Sequence, residues 1–235
     1  MGLVDINGNN IAPKTNSVLN GADVFFFGDS NVECSAGYTL NDVGSWYQRL
    51  AKEFSINSWT NKGISGLNTW QVYGEFKKWA TDANVATYNK ESTVFLFWTG
   101  TNDEKSNYEN HPYNGNQNTT SQPNGIAFIK ELIATKFPKA TFFWFIPPLT
   151  EWTKWGNYTA DNADYYAERN MAEKIPLIIE NLNMWGIPFF NVAYNGGIFP
   201  AMLSDGVHLG GGKKDYTTDA VYRAYRVIRE CLMNK

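Results

Sequence analysis

Histidine and cysteine are scarce in this 235-residue chain, which has two of each: His111 and His208, Cys34 and Cys231. Two cysteines cannot build a disulfide framework or a four-cysteine zinc site, and two histidines are too few for a histidine-rich metal centre. No metal or organic cofactor is expected. An excess of one charge is missing as well. Twenty basic residues stand against 23 acidic ones, a net of −3, so there is no broad basic field to hold nucleic acid. No window approaches about 18 consecutive apolar residues, so no membrane span is expected. Residues 1–8 lack a basic stretch leading into an apolar one, and Ile6 stands where a myristoylation pattern wants Ser or Thr. Neither a secretory leader nor that lipid anchor is expected there. A cytoplasmic protein, a virion protein and a secreted protein stripped of its leader would all read this way. The sequons at Asn118 and Asn157 matter only in a glycosylating compartment. Compartment and oligomeric state stay open.

Short apolar runs separated by amphipathic stretches are what the chain has in quantity. Hydrophobic residues make up 43% and charged residues 18%, the balance of a globular protein. A polar lead over residues 1–22 precedes a single domain over residues 23–235. Apolar runs bounded by turn residues predict buried strands at 24–27, 56–60, 93–98, 141–146 and 187–192. Helical spacing of apolar residues predicts helices over 43–54, 72–80, 126–137, 160–182 and 221–232. Asn68 or Thr69 is placed to cap the second helix, and Pro176 should kink or divide the fourth. Residues 107–124, rich in Asn, Thr, Gln and Gly, predict a long polar loop after the third strand, either a wall or mobile cover over any pocket there or equally a passive surface loop. Strands alternating with helices argue for an α/β fold with a five-stranded parallel sheet covered on both faces.

In such a sheet, ligands bind at the carboxyl ends of the strands. There the chain places Gly28-Asp29-Ser30-Asn31, Asn61-Lys-Gly63-Ile-Ser-Gly66, Gly100-Thr101-Asn102-Asp103 and Asp205-Gly-Val-His208. A serine hydroxyl is a poor nucleophile without an adjacent base. His208 can take its proton, and Asp205 can fix the imidazole tautomer and stabilise the imidazolium. The oxyanion of acyl transfer wants fixed donors, which the backbone N–H groups of Ser30 and Gly66 and the side-chain amide of Asn102 can supply. Asp29 is expected to tighten the serine turn by bonding nearby backbone N–H groups. The Gly-x-Ser-x-Gly elbow of α/β-hydrolases is absent, because Val32 occupies its last position.

These four blocks, in this order, resemble the SGNH or GDSL-type serine hydrolases over residues 24–232. The resemblance implies a flavodoxin-like three-layer α/β/α sandwich. It implies Ser30 as nucleophile, Asp205 and His208 completing a catalytic triad, and Gly66 and Asn102 in the oxyanion hole. Gly66 is preferred to Gly63 because the family's glycine follows the Ile-Ser pair. Asn31 replaces the leucine that gives GDSL its last letter, a departure expected to bear on packing or substrate fit rather than on the chemistry.

Trp152, Trp155 and Tyr158 follow the fourth strand and are candidate substrate contacts at the same edge, since flat aromatic faces suit sugar rings as well as packing. His111 is expected to be a solvated loop histidine, and Cys34 an inert thiol, with a Cys34–Cys231 bridge left open. The reading that follows is a serine esterase removing a short acyl group, acetyl first of all, from a carbohydrate or glycan. The partner expected is therefore a small-molecule or glycan ester. Two rivals remain. One is an arylesterase, lysophospholipase or thioesterase on the same triad, which would act on p-nitrophenyl acetate and not on acetylated sugars. The other is a non-catalytic glycan-binding or virion structural module, whose sugar binding would survive Ser30→Ala.

Overall fold

The computed structural model of the chain describes residues 17–33, 53–116, 120–198, 200–203, 207–209, 226, 229–230 and 232. Five strands, β1 (Asp23–Gly28), β2 (Ser58–Gly63), β3 (Thr93–Trp98), β4 (Thr141–Ile146) and β5 (Phe189–Asn191), pair in parallel in one sheet. Their order is β2-β1-β3-β4-β5. The chain leaves β1 for a neighbour on one side and returns to the other side as β3. The end of β1 is therefore the switch point, where a crevice opens between diverging loops. The described helices are α1 (Ser30–Glu33), α2 (Thr69–Trp79), α3 (Asp82–Tyr88), α4 (Lys105–Asn110), α5 (Gln122–Lys136), α6 (Ala163–Ala167), α7 (Met171–Met184) and α8 (Val192–Gly196). None of the described helices is long and apolar enough to cross a membrane.

β1 and β3 are buried along their whole length, which is why they read as unbroken apolar runs. Alternate residues feed two cores. Phe25, Phe27, Phe95 and Phe97 face α2, α5 and α7, whose Phe76, Ile129 and Ile178 are buried against them. Phe76 sits 5.0 Å from the ring of Phe27 and 5.3 Å from those of Phe95 and Phe97, edge to face in each case. Val24, Phe26, Val94, Leu96 and Trp98 enter the opposite core, together with Phe54 and Leu232. Leu19 and Ala22, from the end of the polar lead, are fully buried in it too. The architecture is a three-layer α/β/α sandwich. Most of the helices expected over 43–54 and 221–232 lies outside the described residues, as do Cys34, Cys231 and the sequon residue Asn118.

Several expectations shift. The second strand runs from Ser58 to Gly63 rather than over 56–60, because its register with β1 carries pairing from Asp23↔Ser58 through Gly28↔Gly63. As an edge strand it accommodates Asn61 and Lys62 without an apolar run. The fifth strand is only Phe189–Asn191, since the Asn191 side chain accepts from the Tyr194 N–H and turns the chain into α8. Pro176 lies inside α7 and does not divide the fourth helix. The division falls at residues 168–170, where the Asn170 side chain caps α7 by accepting from the Ala172 N–H. Residues 107–124 are not one polar loop. They contain the end of α4, the start of α5, and an Asn114–Asn124 pair joined by side-chain hydrogen bonds. Tyr113 packs there on Trp185 with ring centroids 4.6 Å apart.

One close approach fixes the placement of the β1–α1 turn. A Cβ added to Gly63 would lie 2.2 Å from the Glu33 nitrogen and 2.6 Å from the Val32 carbonyl carbon. Only glycine lets β2 reach the backbone of α1. Gly63→Ala is expected to destabilise the protein by about 1–3 kcal/mol in urea denaturation, the usual cost of overpacking. A loss below about 0.5 kcal/mol, the range of neutral surface changes, would show that the two segments separate freely.

Candidate active site

The turn that carries Ser30 is built by Asp29. Its main-chain carbonyl accepts from the N–H groups of Val32 and Glu33 at 3.0 and 2.9 Å, and its carboxylate Oδ1 accepts from the Asn31 N–H at 2.9 Å. The expected role in tightening the turn is what the geometry gives. Ser30 thus begins α1 directly beyond the carboxyl end of β1, with its side chain at the edge of the crevice. Asp29 itself is fully buried, and burial pushes its carboxyl up to about 6, against the opposing pull of the Asn31 N–H, Thr101 and His208.

His208 arrives from the far end of the chain. Its Nε2 lies 2.9 Å from Ser30 Oγ, and both residues are buried. The Trp155 ring leans over the imidazole with centroids 5.1 Å apart, tilted by 56°. Asn31 holds this segment in place, since its Oδ1 accepts from the Leu209 N–H at 3.2 Å. The residue expected to bear only on packing or substrate fit therefore joins the serine turn to the histidine segment. Asp205 lies outside the described residues.

Gly66 and Asn102 line the same cleft as Ser30 and His208. Gly66 has φ +79°, a left-handed conformation that glycine adopts without strain. Asn102 Nδ2 donates to the Leu67 carbonyl at 3.1 Å, which aligns the amide and leaves its second hydrogen for another acceptor. The Asn102 loop is anchored on both sides. The Asp103 carboxylate accepts from the Thr69 N–H at 2.7 Å, from the Thr69 hydroxyl at 2.6 Å and from the Tyr108 hydroxyl at 2.6 Å. Beneath it the wholly buried Lys174 donates from Nζ to the carbonyls of Gly100, Thr101 and Asp103 at 2.8, 2.9 and 2.7 Å. Burial pushes the Lys174 ammonium down to about 7, while Asp103 and Asp29 pull the other way.

The cleft has a volume of about 150 Å³. Trp152, Trp155, Tyr165, Tyr166 and Arg169 form its walls. Of the three aromatic candidates, Trp152 and Trp155 lie in this cleft, whereas Tyr158 lines an adjoining groove of about 260 Å³ that shares Trp152 and Tyr166 with it. Trp152 stacks on Tyr166 with centroids 5.2 Å apart, and its Nε1 donates to the Arg169 carbonyl at 2.9 Å. The Arg169 guanidinium lies 3.5 Å over the Tyr165 ring and pairs with Glu104 at 2.7 Å. None of the described residues of 107–124 lines this cleft. His111 is exposed, as a solvated loop histidine should be. Among the described residues, no group of three or more His, Cys, Asp or Glu side chains is arranged to hold a metal ion.

Sequence reasoning missed Tyr165, Tyr166 and Arg169, which sat in the expected fourth helix ahead of Pro176. Tyr165 and Tyr166 lie on α6 and Arg169 in the break before α7. It also missed Lys174, although a signal was there. Met171, Ile175, Ile178 and Leu182 form an apolar stripe, and Lys174 falls on the same buried face.

No protein-family model matches the chain, and no curated protein matches it in sequence. Solved structures do match. A GDSL-like lipase from Parabacteroides merdae superposes with a TM-score of 0.58 at 16% identity, over 92% of this chain and 97% of that one. An acetyl xylan esterase from Geobacillus stearothermophilus gives 0.54 at 16% identity, over 91% and 95%. A lipase/acylhydrolase from Enterococcus faecalis gives 0.51 at 14% identity, over 91% and 94%. Catalytic mutants of the Geobacillus esterase, one with a serine and one with a histidine replaced by alanine, match as well. Across identities this low, the shared property is the fold.

The raised Asp29 carboxyl has a consequence for stability. Between about pH 4, the unfolded value, and pH 6, the folded protein keeps a proton that the unfolded chain has lost. That contribution to stability is present below pH 4 and is lost as pH rises through 6. Asp29→Asn keeps an acceptor for Asn31 and removes the titration. Relative to wild type, it is expected to gain on the order of 2–3 kcal/mol between pH 4 and pH 7 in urea denaturation. A wild-type-to-variant difference that does not change with pH would contradict the buried charge.

Proposed function

We propose that this chain is a serine esterase of the SGNH or GDSL type that removes short acyl groups, acetyl above all, from a carbohydrate or glycan. The observation that carries the reading is the 2.9 Å approach of His208 Nε2 to Ser30 Oγ at the carboxyl end of β1. Ser30 attacks the ester carbonyl while His208 takes its proton. Asp205, three residues before His208, is assigned the task of fixing the imidazole tautomer. The oxyanion is received by the N–H groups of Ser30 and Gly66 and by the Asn102 amide, of which one hydrogen is already committed to Leu67. His208 then returns the proton to the leaving alcohol. Water, deprotonated by the same imidazole, releases the acid and restores Ser30.

Two features favour a small acyl group on a sugar. The cleft beside Ser30 is small, and the adjoining groove offers aromatic faces at Tyr158 and Tyr166 next to the polar side chains of Thr150, Glu151 and Asn170. A pyranose ring presents one apolar face and a rim of hydroxyls, the chemistry that such a surface complements. The Geobacillus neighbour, an acetyl xylan esterase, is consistent with this choice.

Acetate release from acetylated oligosaccharides is the direct test. Ser30→Ala and His208→Ala are each expected to lower turnover by about 10³-fold or more without loss of fold. Turnover of p-nitrophenyl esters should fall steeply as the acyl chain lengthens. Wild-type turnover in Ser30→Ala would remove the mechanism, and activity confined to p-nitrophenyl esters would remove the sugar.

A further inference from the structure

Lys174 projects from α7 and is fully buried beneath the Asn102 loop. Its three carbonyl contacts use all three ammonium hydrogens. A neutral amine has two hydrogens and would aim its lone pair at the third carbonyl, so the geometry selects the ammonium. The identity of the acceptors matters more than their number. The Thr101 carbonyl belongs to the peptide plane entering Asn102, and the Gly100 carbonyl to the plane before it. The Asp103 carbonyl belongs to the plane that leads on to Glu104. The remaining plane, between Asn102 and Asp103, is held by the Asp103 N–H donating to the Gly100 carbonyl at 3.3 Å. The two planes that meet at the Asn102 Cα are thereby fixed, and with them the direction of its Cα–Cβ bond. The Leu67 carbonyl then sets the orientation of the amide at the end of that bond.

We propose that Lys174 is a positioning residue for ester hydrolysis: its ammonium holds the peptide planes around Asn102 so that the Asn102 amide faces the forming oxyanion. This rests on the hydrolase reading above. Lys174 touches no reacting atom and acts through Asn102 alone. Its removal therefore costs no more than removal of the Asn102 amide, and costs little once that amide is gone. A lysine that merely stabilises the fold has no such dependence.

The test is a double-mutant cycle on p-nitrophenyl acetate with wild type, Asn102→Ala, Lys174→Gln and the double variant, each checked for folding by circular dichroism. Asn102→Ala should lower kcat about 10²- to 10³-fold, as loss of one oxyanion donor does. Lys174→Gln should lower kcat about 10- to 100-fold, within that ceiling, with KM changed less than about threefold. In the Asn102→Ala background, the same substitution should lower kcat less than about threefold. Equal losses in the two backgrounds, or an unchanged kcat in folded Lys174→Gln, would overturn the assignment. Should Lys174→Gln fail to fold, Lys174→Arg, which keeps the charge but spreads its donors over a plane, enters the same cycle under the same criteria.

Should both fail, the wild type decides. The NMR titration of the Lys174 side chain, faced by Asp29, Asp103, Glu104 and Arg169, must then share its midpoint with an alkaline fall in kcat that Asn102→Ala lacks. Midpoints more than one pH unit apart, or a fall retained in Asn102→Ala, would overturn it. Ser30→Ala separates the two levels. Full activity there removes the serine mechanism on which the reading rests, whereas an inactive Ser30→Ala with an additive cycle removes only the role of Lys174.

Discussion

One hydrogen bond, between Ser30 Oγ and His208 Nε2, joins residues 178 positions apart and gives the cleft its chemical meaning. A buried hydroxyl has little reactivity of its own. On the proposed reading, the imidazole nitrogen 2.9 Å away is a proton acceptor in place before substrate arrives, so the cost of bringing base and nucleophile together is met during folding. The rest of the site can be understood as what keeps that pair together. Asn31 ties the serine turn to the histidine segment, Asp29 winds the turn, and Trp155 covers the imidazole.

The sheet order explains why these groups meet. β1 lies between β2 and β3, so the loops leaving all three open at one edge. The first supplies Ser30, the second Gly66 and the third Asn102. Gly63 lets the second loop pass against α1, and Asp103, Thr69, Tyr108 and Lys174 hold the third. Much of the polar network therefore lies behind the residues that face the cleft. It holds those residues in place.

How much of this was legible in the sequence depended on how each residue is held. β3 and β4 were read to the residue because both are fully or mostly buried, and burial on two faces leaves an unbroken apolar run. β2 was displaced because an edge strand leaves no such trace. Ser30, Gly66, Asn102 and His208, each singled out on a short sequence block, line one cleft. Tyr165, Tyr166 and Arg169 were not legible, since the helix break beside them has neither proline nor glycine and its one signal, the capping Asn170, lies within a run of helical spacing. The role of Asn31 was hidden for a different reason: its partner, the Leu209 N–H, is distant in sequence and belongs to the backbone. Lys174 was visible as a charge on an apolar stripe. Nothing in the pattern said that loop carbonyls would receive it.

The central claim, that Ser30 is a nucleophile activated by His208, is most directly tested by reaction of the intact protein with a fluorophosphonate, followed by mass spectrometry and peptide mapping. The account predicts a single covalent adduct on Ser30 that forms far more slowly when His208 is replaced by alanine. No adduct, an adduct on another residue, or labelling of Ser30 at an unchanged rate in His208→Ala would contradict it.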